Sequence, residues 1–272
     1  MTAPHPAIAR FDLERFHQLR RAQPALSWGE PLTYGEETGS TNDDALAAAR
    51  HGAPSGSVFL AERQSRGRGR RGRSWLAESG QSLLFSLLLR PGAGTEAAPT
   101  QTGALTLAVG LAVRAALAPF SEQPLSVKWP NDILSGPRKL AGILCESQLQ
   151  SGRLEAVVVG IGINVGRQSF PPELQNDVTC LEELSGRGHA RERLLVEVLR
   201  EVERRVAGGA RSELHELIDE FRAHDALRDR KVFVSGAREL SGIARGVDEQ
   251  GHLLLETDGV VLALNSGTVR LG

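Results

Sequence analysis

Between residues 125 and 165 three apolar runs follow one another with very little chain between them: Leu125 to Trp129, Lys139 to Glu146 and Leu154 to Val165. The connecting residues are turn formers, Pro130-Asn131-Asp132, Ser135-Gly136-Pro137 and Ser151-Gly152. Parallel neighbours would need a crossover of about a dozen residues, usually a helix, so these runs fit strands joined by short antiparallel connections. Two more core strands precede them, Val58 to Glu62 and Leu83 to Leu89.

Helical spacing appears around this sheet. Leu105, Val109, Ala112, Val113 and Leu117 mark one face of a buried helix over Thr100 to Ala118, which Pro119 ends. Ser40 or Thr41 can cap a helix with Asp43 and Asp44 in its first turn and Gly52 beyond its end. Asp12 to Arg21 reads as a short docking helix, the Ala/Gly stretch 92–98 as a turn, and 191–224 as two amphipathic helices. After Asp229 the texture changes to short alternating runs broken at Asp248 to Gly251 and Asp258-Gly259, the pattern of a small β-barrel. The chain therefore divides into an N-terminal extension with a short helix (1–34), an α+β domain (35–228) and a terminal β module (229–272).

Composition excludes several classes. With 32 basic and 33 acidic residues the net charge is -1, so no global field favours nucleic acid. No apolar run approaches the roughly 20 residues a bilayer requires, and Met1 to Arg10 lacks the pattern of a signal peptide, so the expected location is cytoplasmic, with no membrane partner. Cys145 and Cys180 have neither CxxC spacing nor nearby histidines and read as packing thiols.

Three constellations can carry chemistry. Arg66 to Arg73, followed by Ser74 and Trp75, alternates guanidiniums with glycines, a loop able to wrap a polyphosphate with planar donors and closely approaching backbone amides. Taken alone, the tract fits an RNA-contacting or a solvated loop as well. Lys128-Trp129-Pro130-Asn131-Asp132 fixes a lysine at a strand end beside a rigid turn, where its charge can neutralise a carboxylate meeting a phosphate; a surface lysine before a proline turn has the same pattern. Finally, Lys139 to Glu146 and Gly160 to Val165 place glycines inside strands, which weakens pairing unless something approaches the backbone. A ligand or a bulged sheet would account for them, and the polar Asn164 needs either an adenine edge or a backbone partner.

In order, Ser40-Thr41-Asn42, Glu62 with Gln64, GRGRRGRSW, KWPND, KLAGIL ahead of Glu146, and GIGIN resemble the signature of the biotin protein ligase family. The likeness spans roughly residues 36–165 and extends more loosely to the chain's end. It implies a class II synthetase-like catalytic domain, a mixed and mainly antiparallel sheet packed with helices, followed by a small SH3-like barrel. It further implies that biotin and ATP, with Mg²⁺, form biotinyl-5'-AMP, and that biotin passes to a lysine of a biotin carboxyl carrier protein. By the same resemblance Ser40, Thr41, Asn42, Gln64, Arg68, Gly69, Arg70 and Lys128 would bind biotin. Arg68, Arg70, Arg71, Trp75, Lys128, Asn131, Lys139 and Asn164 would hold the nucleotide, with Lys128 and Arg70 catalytic and the metal ligands unassigned. A lipoate or octanoate ligase of the same fold is the alternative, and it would need an apolar tunnel in place of these polar groups. Arg66 departs from the pattern, since a small residue usually precedes the loop's first glycine. About 35 residues ahead of the catalytic region cannot hold a winged-helix domain, so no DNA partner is expected. An edge strand of the central sheet could support a homodimer or be covered by the first helix.

Overall fold

The computed structural model describes residues 10–90, 102–206, 213–236 and 238–272; the expected turn at 92–98 lies outside them. The elements run α1 (Leu13–Arg21), β1 (Leu32–Thr38), α2 (Thr41–Arg50), β2 (Val58–Gln64), β3 (Ser82–Leu89), α3 (Thr102–Leu117), β4 (Leu125–Lys128), β5 (Asp132–Ser135), β6 (Arg138–Gln150) and β7 (Arg153–Asn164). They continue with α4 (Leu181–Ser185), α5 (Arg191–Val206), α6 (Glu213–His224) and five short strands: β8 (Lys231–Ser235), β9 (Glu239–Val247), β10 (Leu253–Thr257), β11 (Val260–Leu264) and β12 (Thr268–Leu271).

The main sheet has seven strands in the order β1-β2-β3-β7-β6-β5-β4. Only β1 and β2 pair in parallel; every other ladder in it is antiparallel, in keeping with the expected mixed, mainly antiparallel α+β sheet. Strand β3, SLLFSLLL, is buried at all eight positions because both of its faces are covered. Leu83, Phe85, Leu87 and Leu89 join one large core with α3 and α5, while Leu88 packs with Ala45 and Ala49 of α2. Period-2 alternation therefore turns Ser86, the polar residue in mid-strand, toward α2, where the candidate site lies.

Helix α3 with the turn after it, Gly103–Phe120, is long and apolar enough to cross a bilayer, contrary to the sequence-based expectation of no such run. Its Leu107, Val109, Leu111, Val113 and Leu117 are instead buried in the core. Helix α1 docks through Phe16, which is fully buried, against α5.

The terminal strands form an antiparallel sheet in the order β11-β10-β9-β8-β12, around Val232, Val234, Ala244, Leu253, Leu255 and Val269. No β11–β12 pairing closes the ladder among the described residues. The apolar residues of this module join the main core, and a buried hydrogen bond ties it to the turn after β4, where Trp129 Nε1 donates to the Gly251 carbonyl at 2.9 Å. Gly251 sits in the β9–β10 turn at φ 79, with the backbone of Gly103 2.6 Å from where a Cβ would stand, so only glycine fits.

Candidate active site

A cavity of about 470 Å³ opens on the α2 side of the main sheet, within the range that holds a nucleotide or drug-sized ligand. All thirteen residues singled out for substrate binding reach its wall: Ser40, Thr41 and Asn42 from the start of α2, Gln64 from the end of β2, the Arg68–Trp75 loop, Lys128 and Asn131, Lys139, and Asn164.

Its floor is a polar chain. Ser40 occupies the N-cap position of α2 without a side-chain capping bond, contrary to the capping expected of it, and its buried hydroxyl lines the cavity. The Thr41 amide donates to Gln64 Oε1 at 2.8 Å, and the Thr41 hydroxyl lies 3.2 Å from the same atom. Ser86 Oγ sits 2.7 Å from Thr41 Oγ1 and 2.6 Å from Asn42 Oδ1. Asn42 Nδ2 in turn donates to Glu146 Oε2 at 2.5 Å.

The glycines inside β6 and β7 find their reason in the protein's own side chains. Gly142 and Gly162 are register partners, and a Cβ on either would come within 2.9 and 2.6 Å of the Trp75 indole. A Cβ on Gly160 would strike Asn42. The close approach is thus made by Trp75 and Asn42, which hold the cavity wall. Gly162→Ala is expected to displace the indole at a cost of roughly 1–3 kcal/mol, typical of overpacking, visible in urea unfolding and as a raised KM for the ligand that the cavity holds. An unchanged KM and midpoint would show that Trp75 has no fixed seat.

Charge is distributed unevenly. Arg68 is bound by carboxylates, 2.7 Å from Asp43 and 3.1 Å from Glu146, which raises its pKa and lowers that of Asp43. Lys139 Nζ lies 2.6 Å from Asp132 Oδ1 and 5.2 Å from the Trp75 ring centroid. Arg70 and Lys128 have no ion pair among the described residues, and burial lowers the pKa of each. Two desolvated cations without carboxylate partners are what an anionic ligand would complete.

Other members of the expected set are already engaged. Asn131 Nδ2 donates to the Ile143 carbonyl at 2.8 Å. Asn164 Nδ2 donates to the Thr179 carbonyl at 3.1 Å and its Oδ1 accepts from Gln168 at 3.3 Å, so its amide supports the wall through the protein itself. Arg71, in the left-handed region at φ 58 before Gly72, swings away from the cavity floor to donate to the Ser235 carbonyl at 2.5 Å, and Arg73 reaches Thr268 at 3.2 Å. The loop is therefore stitched to the terminal module. Arg66 lies over Gly39, its guanidinium 2.7 Å from where a Cβ would be.

Sequence reasoning missed Phe170, Leu174 and Val178, which complete the wall from the segment after β7. Their one signal was apolar residues inside a Pro-rich loop.

A nucleotide-sized cavity that joins a polar floor to cations without carboxylate partners suits an enzyme acting on an anionic, nucleotide-like ligand, and sequence comparison narrows the class. Residues 34–164 match the biotin/lipoate A/B protein ligase family and 232–272 the biotin protein ligase C-terminal domain. The chain is 38% identical over 240 residues to the biotin–acetyl-CoA-carboxylase ligase of Mycobacterium tuberculosis, covering 86% of each. It is 32% identical to the bifunctional ligase/repressor BirA of Bacillus subtilis over 90% of this chain and 75% of that one. The solved biotin protein ligase of Aquifex aeolicus in complex with biotin and ATP superposes with a TM-score of 0.76 at 30% identity, over 90% of this chain and 99% of that one. The chain belongs to the biotin protein ligase family.

Proposed function

We propose that this cavity joins biotin to ATP as biotinyl-5'-AMP, releasing pyrophosphate, and passes the biotinyl group to one lysine of a biotin carboxyl carrier domain. The observation that carries this reading is the pairing of a polar floor at Ser40, Thr41 and Gln64 with two half-buried cations, Arg70 and Lys128, that have no ion pair among the described residues, in one cavity. The floor suits a ureido ring better than the aliphatic chain of lipoate or octanoate, which would leave its donors and acceptors unmet.

Lys128 lies between the two anions and lowers the repulsion as the carboxylate attacks the α-phosphorus in line; Arg70 spreads the charge that grows on the phosphate oxygens. Trp75 shelters the adenine, and Asn164 and Asn131 keep the wall in place behind it. The Arg68–Arg73 segment, tied to α2 at one end and to the terminal module at the other, excludes water from the mixed anhydride until the acceptor amine displaces AMP. No covalent bond between enzyme and substrate is required.

Among the described residues no group of three or more His, Cys, Asp or Glu side chains could hold a metal ion. The cavity's carboxylates, Asp132 and Asp177, stand among cations, and Asp132 already pairs with Lys139. These residues do not fit a protein-held metal, so Mg²⁺ would come in on the phosphates of ATP. The division at 34/35 and 228/229 assigns catalysis to the central part and loop anchoring to the terminal module. We place the reaction in the cytoplasm, where ATP is supplied and free thiols such as Cys145 and Cys180 persist.

Biotin-dependent exchange of pyrophosphate into ATP, run beside lipoate and octanoate, tests the reading. Exchange with biotin alone is expected. Exchange driven by either fatty acid in its place would reassign the substrate, and none with any acid would refute adenylation.

A further inference from the structure

We infer that Glu146, on β6, is a positioning residue for the biotin end of the cavity, and that Arg68 anchors the loop while Arg70 is left to meet the ligand. This rests on the function proposed above. Glu146 Oε2 accepts from Asn42 at 2.5 Å and from Arg68 at 3.1 Å, and its Oε1 lies 3.3 Å from the same guanidinium nitrogen. One carboxylate thus ties together the first turn of α2, the β6 edge of the floor and the root of the Arg/Gly loop.

Each tie has a definite consequence. Among the described residues the only other acceptor near Asn42 Nδ2 is the Leu144 carbonyl at 3.4 Å, so Glu146 sets which way the amide faces. That orientation leaves Asn42 Oδ1 2.6 Å from Ser86 Oγ, and through Ser86 it reaches Thr41 and Gln64. At the loop, Arg68 is gripped from its other side by Asp43 at 2.7 Å. A guanidinium satisfied by two carboxylates has few donors left for a phosphate, whereas the Arg70 guanidinium has no such partner among the described residues. The loop root is folded accordingly: Arg68 bridges Ser74 across a hairpin in which the Trp75 amide donates to Gly67 at 3.0 Å. Arg68 and Arg70, both expected to bind biotin and the nucleotide, with Arg70 also catalytic, thus meet different surroundings.

The test is kinetic. Biotin KM, kcat for exchange and the half-life of enzyme-bound adenylate would be measured for wild type, Glu146→Gln, Arg68→Gln and the double variant. Loss of a hydrogen bond to a charged group predicts about a tenfold rise in KM and a similarly faster loss of adenylate for Glu146→Gln, with kcat falling less. The double variant should be little worse than Arg68→Gln alone, because both remove one clamp. A Glu146→Gln enzyme with wild-type KM and adenylate half-life, or full additivity in the double variant, would overturn the inference. Should Glu146→Gln fail to fold, Asp43→Asn opens the same clamp from its exposed side and must shift both readouts in the same direction, or the inference is wrong. Wild type without biotin-dependent exchange would overturn the proposed function itself; an active wild type with unchanged variants would overturn only the positioning role.

Discussion

Replacing Lys128 with alanine is expected to slow biotin-dependent pyrophosphate exchange by about 10²–10³-fold, the usual loss when one preorganised charge facing the transition state is removed. The reasoning starts from its surroundings. Lys128 ends β4 and is followed by Trp129, whose indole is buried and bonded to Gly251, so the backbone beneath the lysine cannot drift. Burial disfavours its charged form, the neighbouring Lys139 adds to that effect, and only Asp132 and Asp177 oppose it at a distance. Because the ammonium has no ion pair among the described residues, its charge is available to two approaching anions. The nearby Lys139 is a poorer substitute, being already committed to Asp132. The fold should survive the substitution, since alanine removes an uncompensated charge. The same environment predicts a pH dependence: the pKa is lowered, so the protonated form is lost at a lower pH than for an exposed lysine, and exchange should decline on the alkaline side accordingly. Lys128→Arg, which stays charged, should move that decline upward even if its rate is lower. Wild-type exchange by Lys128→Ala would remove the lysine from the mechanism.

How much of this was legible depended on the kind of signal. Turn chemistry located the β6–β7 hairpin and the terminal strands, because Ser151-Gly152 and Asp258-Gly259 punctuate apolar runs. Two strands left no such trace. In β1, LTYGEET, the apolar residues do not alternate, because it is an edge strand with neighbouring chain on one side only. In β5 only Ile133 and Leu134 lie between two turn signals, too short a run to stand out. The candidate site was legible as a list and not as a circuit. Spacing brought Ser40 to Asn42, the Arg/Gly loop and Lys128 to attention, yet nothing in it said that Gly142 and Gly162 make room for Trp75. Nor could it say that Arg68 turns back to Asp43 and Glu146 while Arg71 reaches Ser235. Those partnerships join residues 25 to 164 positions apart, and only the folded sheet brings them together.

The largest stability effect is expected where the strand carrying Gln64 is pinned, two residues earlier, at Glu62. Its carboxylate is 4% exposed with the rest of the residue and receives Arg191 at 2.6 and 3.1 Å, the Phe11 amide at 2.6 Å and the Tyr34 hydroxyl at 2.8 Å. Burial alone would push its pKa up, but Arg191, Phe11 and Tyr34 outweigh burial and hold it below the ordinary carboxylate value, while the Tyr34 hydroxyl is pushed up to about 12. Arg191→Leu leaves that carboxylate buried without its cation and is expected to cost about 3–5 kcal/mol in urea unfolding at neutral pH. Adding Glu62→Gln should recover much of the loss, because the stranded charge, rather than the missing attraction, is the main cost. The sign with pH follows from the lowered pKa of Glu62: its contribution is present above the unfolded carboxylate's pKa and is lost as pH falls through the folded one. The single variant should therefore approach the wild type in acid, where the carboxyl is neutral in both. A single variant within 1 kcal/mol of wild type at neutral pH, or a double variant no better than the single, would mean that apolar packing of Phe11 and Phe16, and not this buried charge pair, holds the N-terminal segment in place.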